Sequence, residues 1–82
     1  MDVNKFENLN KSERYKILKN QGVFLASRRF ESYVVSLFSI NDFYVELWKR
    51  IGLNYVDYVE IVKEQKKIDS YLDNLDLPDF FA

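Results

Sequence analysis

The side chains that carry out most enzymatic chemistry are missing from this chain. It contains neither histidine nor cysteine, and those residues supply the commonest general base, the commonest metal ligand and the thiolate nucleophile. The two glycines, Gly22 and Gly52, form no phosphate-binding loop, and no serine lies in the Gly-x-Ser-x-Gly context that exposes a nucleophile. We therefore expect a protein that is not an enzyme and that needs no cofactor.

Carboxylates are the remaining candidates for chemistry. Glu46 and Glu60 fall on neighbouring predicted strands and could face each other as an acid–base pair, but glutamates on a solvated sheet face give the same pattern. Four aspartates near the C-terminal end repeat every three or four residues: Asp69, Asp73, Asp76 and Asp79. Their spacing lacks the glycine and the ligand alternation of a calcium loop. We interpret both sets as solvated acidic surfaces and expect no metal site.

Basic residues offer a surface for nucleic acid. The candidates are Arg28, Arg29, Lys49, Lys66 and Lys67. The order of predicted elements is also similar to that of the double-stranded-RNA-binding domain, in which two helices flank a three-stranded sheet. The formal net charge is -1, however, and acidic residues are interleaved with the basic ones, so any positive patch is local.

Large aromatic residues occupy the predicted outward face of one strand. Tyr44 and Trp48 project from the same side, with Glu46 between them and Arg50 beyond. Tyr, Trp and Arg are the residues enriched at binding hot spots. We predict that Tyr44, Glu46, Trp48 and Arg50 contact another protein, or a second copy of the chain in a homodimer. Coverage of this face by a helix or by the C-terminal tail is the structural alternative.

The elements that position these residues follow from the hydrophobic pattern. A first helix is predicted over residues 11–20, because Asn10 and Glu13 form a capping box and Gly22 stands where a left-handed C-terminal residue is wanted. Residues 1–9 are interpreted as a polar lead-in. A C-terminal helix is predicted at about residues 66–74 from its apolar spacing.

Four strands of an antiparallel meander are predicted between the helices, at residues 23–30, 33–40, 43–51 and 55–62. Alternation in the third strand places Phe43, Val45, Leu47 and Ile51 inward. In the first strand, Phe24, Ala26 and Phe30 are predicted to share one face. Val56 and Val59 in the fourth strand are three residues apart, so an interior position for both requires a bulge. The predicted class is α+β.

The first three predicted strands carry a family resemblance. The chain resembles a set of short uncharacterised proteins from Bacteroidetes-type bacteria, through a pattern of core and sheet residues: Gly22 to Arg28, Tyr33, Leu37, and Phe43 to Trp48. The resemblance covers roughly residues 12–75. It implies the same fold, and it implies no activity and no site.

The composition indicates a compact cytoplasmic domain. Of the 82 residues, 48% are hydrophobic and 17% are aromatic, and each aromatic side chain buries about 150–250 Å². Small secreted domains usually need disulfides, and no apolar segment here reaches the length of a membrane helix. We expect one domain of residues 1–82 that ends in a short acidic and aromatic tail at 76–82. We also expect that the protein comes from a bacterium or its phages and that it has no membrane partner.

These patterns favour an interaction module over an enzyme. Our first hypothesis is a non-enzymatic protein-binding module that covers a partner's surface. It would act as a small regulator or as an inhibitor carried by a phage or mobile element, for example of a host nuclease such as a CRISPR effector. The alternative is an RNA-binding module that uses the local basic residues named above.

Overall fold

The computed structural model describes residues 1–53, 55–64, 68 and 71. Its elements are α1 (Val3–Glu7), α2 (Lys11–Gln21), β1 (Val23–Phe30), β2 (Tyr33–Ile40), β3 (Phe43–Arg50) and β4 (Tyr55–Ile61). The strands form one antiparallel sheet in the order β1-β2-β3-β4. The α+β class and the four-stranded meander are therefore confirmed. The predicted C-terminal helix and the tail at 76–82 lie outside the described residues, except for Ile68 and Tyr71, which are both helical.

The N-terminal residues form a helix that the sequence analysis missed. The carboxylate of Asp2 caps α1 by accepting a hydrogen bond of 2.8 Å from the backbone N–H of Lys5. One turn of helix is enough to bring Phe6 into the core, where its side chain is fully buried. Residues 1–9 are therefore more than a polar lead-in.

The second helix confirms its predicted position and its capping box. Asn10 accepts from the backbone N–H of Glu13, and the Glu13 carboxylate accepts from the backbone N–H of Asn10. The predicted left-handed conformation of Gly22 is wrong, because its φ is -74° and its ψ is 142°. A glycine fits there for another reason: a Cβ atom would lie 2.5 Å from the backbone oxygen of Leu18.

Both described helices pack on the same face of the sheet, which we call the helix-covered face. Its buried core consists of Phe6, Leu18, Ile40, Phe43, Val45 and Val59. The inward prediction is confirmed for Phe43 and Val45, and Leu47 is half-buried against the same core. Ile51 was predicted to lie inward but is 38% exposed, because β3 ends at Arg50 and Ile51 begins the turn.

Arg14 links the two helices to the edge strand of the sheet. Its guanidinium donates hydrogen bonds to three backbone carbonyls, those of Phe6 (3.2 Å), Glu7 (2.8 Å) and Val59 (2.7 Å). The same group lies 5.6 Å from the centre of the Phe6 ring. One side chain of α2 therefore satisfies the exposed carbonyls at the end of α1 and fixes both helices against β4.

Two irregularities in the sheet decide which side chains share a face. The register of β1 shifts between Phe24 and Ala26, so Phe24 packs against Phe38 with ring centres 5.6 Å apart on the helix-covered face. Ala26 packs on the opposite face, and the prediction that the two share a face is wrong. The bulge predicted in β4 is confirmed by a register shift opposite Trp48 and Lys49.

The other side of the sheet, which we call the second face, has a core of its own. Ala26, Val35, Leu37 and Tyr71 are buried there. Tyr71 is 1% exposed, so this residue of the predicted C-terminal helix covers part of the second face. None of the helices in the described part of the chain is long and apolar enough to cross a membrane.

Candidate interaction surface

Next to Tyr71, the second face carries four aromatic rings that we call the aromatic cluster: Phe30, Tyr33, Trp48 and Tyr58. Tyr33 and Trp48 also pack against the core that contains Tyr71. Trp48 lies at the centre, with ring-centre distances of 5.8 Å to Phe30, 5.5 Å to Tyr33 and 6.1 Å to Tyr58. The interplanar angles of these pairs are 80°, 76° and 88°, the edge-to-face geometry that aromatic pairs favour. Phe30 and Tyr58 remain 46% and 48% exposed.

Strand register brings these four rings together from four different strands. Phe30 pairs with Tyr33 across β1 and β2, and Trp48 pairs with Tyr58 across β3 and β4. Trp48 also pairs with Val35, so Tyr33 lies diagonal to it, within reach of an aromatic side chain. The bulge in β4 keeps Tyr58 on this face while Val56 turns toward the helices.

Arg28 borders the cluster, and its charge is enclosed within the protein. The guanidinium carbon lies 5.6 Å from the Phe30 ring centre, 6.0 Å from Trp48 and 5.2 Å from Tyr71. Such positions attract a cation to the ring faces. One nitrogen is also 3.5 Å from a carboxylate oxygen of Glu46. The side chain of Arg28 is 13% exposed, so little of this cation is presented to solvent.

Glu46 was predicted to point outward as a contact residue, and the structure buries it. Its side chain is 1% exposed, and the Tyr71 hydroxyl donates a hydrogen bond of 2.6 Å to it. Burial, followed by this hydrogen bond to Glu46, raises the pKa of Tyr71 well above that of an ordinary tyrosine. Glu46 therefore holds Tyr71 on the second face and is unavailable to a partner while Tyr71 is in place.

A second ion pair lies at the other border of the cluster. Arg50 donates two hydrogen bonds to one Asp57 oxygen, at 3.1 Å and 2.6 Å, and the Tyr33 hydroxyl donates to the same oxygen at 2.6 Å. The Tyr33 hydrogen bond, followed by those from Arg50, lowers the pKa of Asp57. Both arginines that border the cluster are therefore neutralised by carboxylates of the chain itself.

The predicted contact residues have different environments in the structure. Trp48 is half-buried at the centre of the cluster, and Arg50 borders it through Asp57. Tyr44 is 38% exposed on the same face, but the buried Glu46 separates it from Trp48 along β3. Sequence reasoning missed Phe30, Tyr33 and Tyr58. Only the pairing of four strands collects these rings, so a scan along one strand does not reveal them.

The residues predicted to bind nucleic acid do not form one surface. Arg28 points to the second face, whereas Arg29 and Lys49 both pair with Val34 across β2 and share the helix-covered face. Lys66 and Lys67 lie outside the described residues. The basic patch proposed from the sequence is therefore divided by the sheet.

The carboxylates do not form a catalytic or metal-binding arrangement in the described part of the chain. Glu46 and Glu60 do lie opposite each other on β3 and β4, but Glu46 is buried under Tyr71 and Glu60 is 55% exposed beside Arg14. Among the described residues, no group of three or more acidic side chains could hold a metal ion. The aspartates at 69, 73, 76 and 79 lie outside that part.

Comparison with known proteins adds no relative to this description. No protein-family model, curated protein or solved structure matches the chain.

Proposed function

We propose that the chain is a non-enzymatic protein-binding module whose contact surface is the aromatic cluster. The observation that carries this proposal is the gathering of four aromatic rings at one place on the second face, with nearly half of Phe30 and of Tyr58 exposed. Tyr and Trp dominate binding hot spots because they bury large areas while losing little rotamer freedom. The rings already fix one another edge to face, so a partner would meet a preorganised surface.

The charges around the cluster favour a protein partner over a nucleic acid. Proteins that bind single strands combine stacking rings with cations that contact the phosphates. Here Arg28 is paired with Glu46 and Arg50 with Asp57, so the two arginines bordering the rings add little net positive charge to this surface. Aromatic rings with balanced charges at the border are typical of a protein interface.

The proposed mode of action is occupation of a partner's surface. The partner is either another protein, which the chain would regulate or inhibit stoichiometrically, or a second copy of the chain in a homodimer. In both cases the rings of Phe30, Trp48 and Tyr58 would lose their remaining exposure to water, and this lost area would supply most of the binding free energy.

Two exposed rings provide the direct test. Phe30→Ser and Tyr58→Ser each remove a half-exposed ring, and each should weaken partner binding or self-association at least tenfold, since hot-spot truncations cost about 2 kcal/mol or more. Phe24→Ser is the matched control, because Phe24 is 56% exposed on the helix-covered face. The measurements are sedimentation velocity of the purified variants, and titration of each against a protein captured by the wild-type chain.

The two outcomes separate clearly. The proposal holds if both variants at the cluster lose affinity while Phe24→Ser retains it. It fails if Phe30→Ser and Tyr58→Ser associate as well as the wild type does. A complex that forms with RNA and weakens steeply as salt rises would instead support the RNA-binding alternative, because phosphate contacts release counterions.

A further inference from the structure

Two lysines line a cleft on the opposite side of the sheet from the aromatic cluster. It lies where the N-terminal end of α2 meets β3 and β4, has a volume of about 210 Å³, and is lined by Lys11, Ser12, Tyr15, Lys49 and Val56. Tyr15 and Val56 pack on the core of the helix-covered face. We propose that this cleft is an anion site that binds a phosphate group.

The cleft is lined by two basic side chains. Lys11 comes from a helix and Lys49 from a strand, and both line the same cavity. Among the described residues, none that lines the cavity is acidic. Neither lysine has a carboxylate within ion-pair distance in the described part of the chain. An anion bound in the cleft would be attracted by both lysines.

The nearby carboxylates are engaged elsewhere. Glu13 accepts the backbone N–H of Asn10 in the capping box. Asp57 is close enough for Lys11 to contribute to the lowering of its pKa, but its hydrogen bonds are to Tyr33 and Arg50. Neither carboxylate lines the cleft, and neither forms an ion pair with Lys11 or Lys49 among the described residues.

The other polar groups of the cleft are suited to the same ligand. The hydroxyls of Ser12 and Tyr15 can donate hydrogen bonds, as can both ammonium groups. Lys11 also lies at the first position of α2, where the helix dipole disfavours a cation and favours an anion. The Lys11 ammonium nitrogen lies 5.2 Å from the centre of the Tyr55 ring. A tetrahedral phosphate, which accepts hydrogen bonds from several directions, fits this set of donors.

The test is a titration of the ¹⁵N-labelled chain with inorganic phosphate at constant ionic strength, with chloride as the replaced anion. The amide signals of Lys11, Ser12 and Lys49 should shift in a saturable way. Lys11→Gln and Lys49→Gln should each weaken binding about tenfold, the factor that corresponds to losing one charged hydrogen bond. Lys16→Gln is the matched control, because Lys16 is an exposed lysine of α2 that does not line the cleft.

Phosphate also acts on proteins in general, because it is excluded from their surface. The variants separate this general effect from binding in the cleft. Saturable shifts that are lost in both cleft variants and kept in Lys16→Gln support the site. The absence of shifts, or equal shifts in all variants, overturns it.

A second titration with a short single-stranded RNA identifies the source of the phosphate. RNA binding that is lost in Lys49→Gln assigns the cleft to a nucleic-acid backbone, and phosphate binding without RNA binding assigns it to a small phosphate compound. The phosphate titration does not depend on the aromatic cluster, so the anion site and the proposed protein interface fail or hold separately. RNA binding through Lys49 would in addition support the RNA-binding alternative.

Discussion

The Tyr71→Phe substitution isolates the contact that holds Tyr71 on the second face. It removes one hydroxyl and keeps the ring. Tyr71 and Glu46 are each 1% exposed, and the hydrogen bond between them measures 2.6 Å. The guanidinium of Arg28 is 3.5 Å from the same carboxylate, which is longer than a charge-assisted hydrogen bond of about 2.7–2.9 Å. Tyr71 is therefore a principal donor to a buried carboxylate.

The expected cost follows from that geometry. A hydrogen bond to a charged group contributes about 1.5–3 kcal/mol, so Tyr71→Phe should lower the free energy of unfolding by about that amount at pH 7. In a Glu46→Gln background the acceptor is neutral, and the same change should cost only about 0.5–1.5 kcal/mol. Urea unfolding followed by the fluorescence of Trp48, the single tryptophan, measures both values.

The effect should also depend on pH in one direction. The pKa of Tyr71 is raised in the folded protein, so folding favours the protonated hydroxyl. Its contribution is complete below the pKa of an unfolded tyrosine, about 10, and is lost as the pH rises from there toward the folded value. Wild type should therefore lose up to about 1.4 kcal/mol per pH unit relative to Tyr71→Phe above pH ~10.

Two results would refute this reasoning. One is a loss of less than about 0.5 kcal/mol at pH 7, below the usual range for a neutral hydrogen bond. The other is an alkaline profile of Tyr71→Phe that parallels the wild type. Either would mean that Glu46 is satisfied without Tyr71 and that the C-terminal contact does not hold the second face.

Three further substitutions test the packing. Arg14→Met should lower the free energy of unfolding by about 2–4 kcal/mol, because three carbonyls each lose the hydrogen bond from Arg14, although that of Phe6 keeps the Leu9 N–H; urea titration checks this, with Lys16→Met as the exposed control. Val45→Ala in the helix-covered core should cost about 1–3 kcal/mol in the same assay. Trp48→Ala should both destabilise the fold by about 2–4 kcal/mol and weaken association. A loss of stability with unchanged association would contradict the role assigned to the aromatic cluster.

The regular parts of the fold could be predicted from the sequence because their signals are local. The capping box of α2 and the alternation of Phe43 and Val45 each depend on neighbours within a few residues. The bulge in β4 could also be predicted from the sequence, because two inward valines three residues apart require a bulge between them.

The missed features depend on contacts between segments distant in sequence. A five-residue helix such as α1 is not stable on its propensity alone, and it exists because Phe6 packs on Phe43 and Arg14 binds its last carbonyls. The bulge in β1 places Ala26 on the other face from Phe24. No glycine or proline lies between these two residues to indicate a bulge in the sequence. The sequence predicted a solvent-exposed Glu46, because nothing near this residue in the sequence indicates that Tyr71 covers it.

The candidate surface was predicted in part for the same reason. Trp48 and Arg50 could be found from the alternation of β3, because that pattern lies within one strand. Phe30 and Tyr58 could not, since they join Trp48 only through the registers of β1 and β4.

If a protein partner covers the aromatic cluster, the environment of Trp48 must change when the complex forms. The chain contains one tryptophan, so labelling with 5-fluorotryptophan places a single ¹⁹F signal at the centre of the cluster. This signal should shift or broaden, and become protected from a soluble paramagnetic agent, when the captured partner is added or when the chain self-associates. A complex that forms while the signal and its solvent exposure stay unchanged would mean that the contact lies elsewhere on the protein.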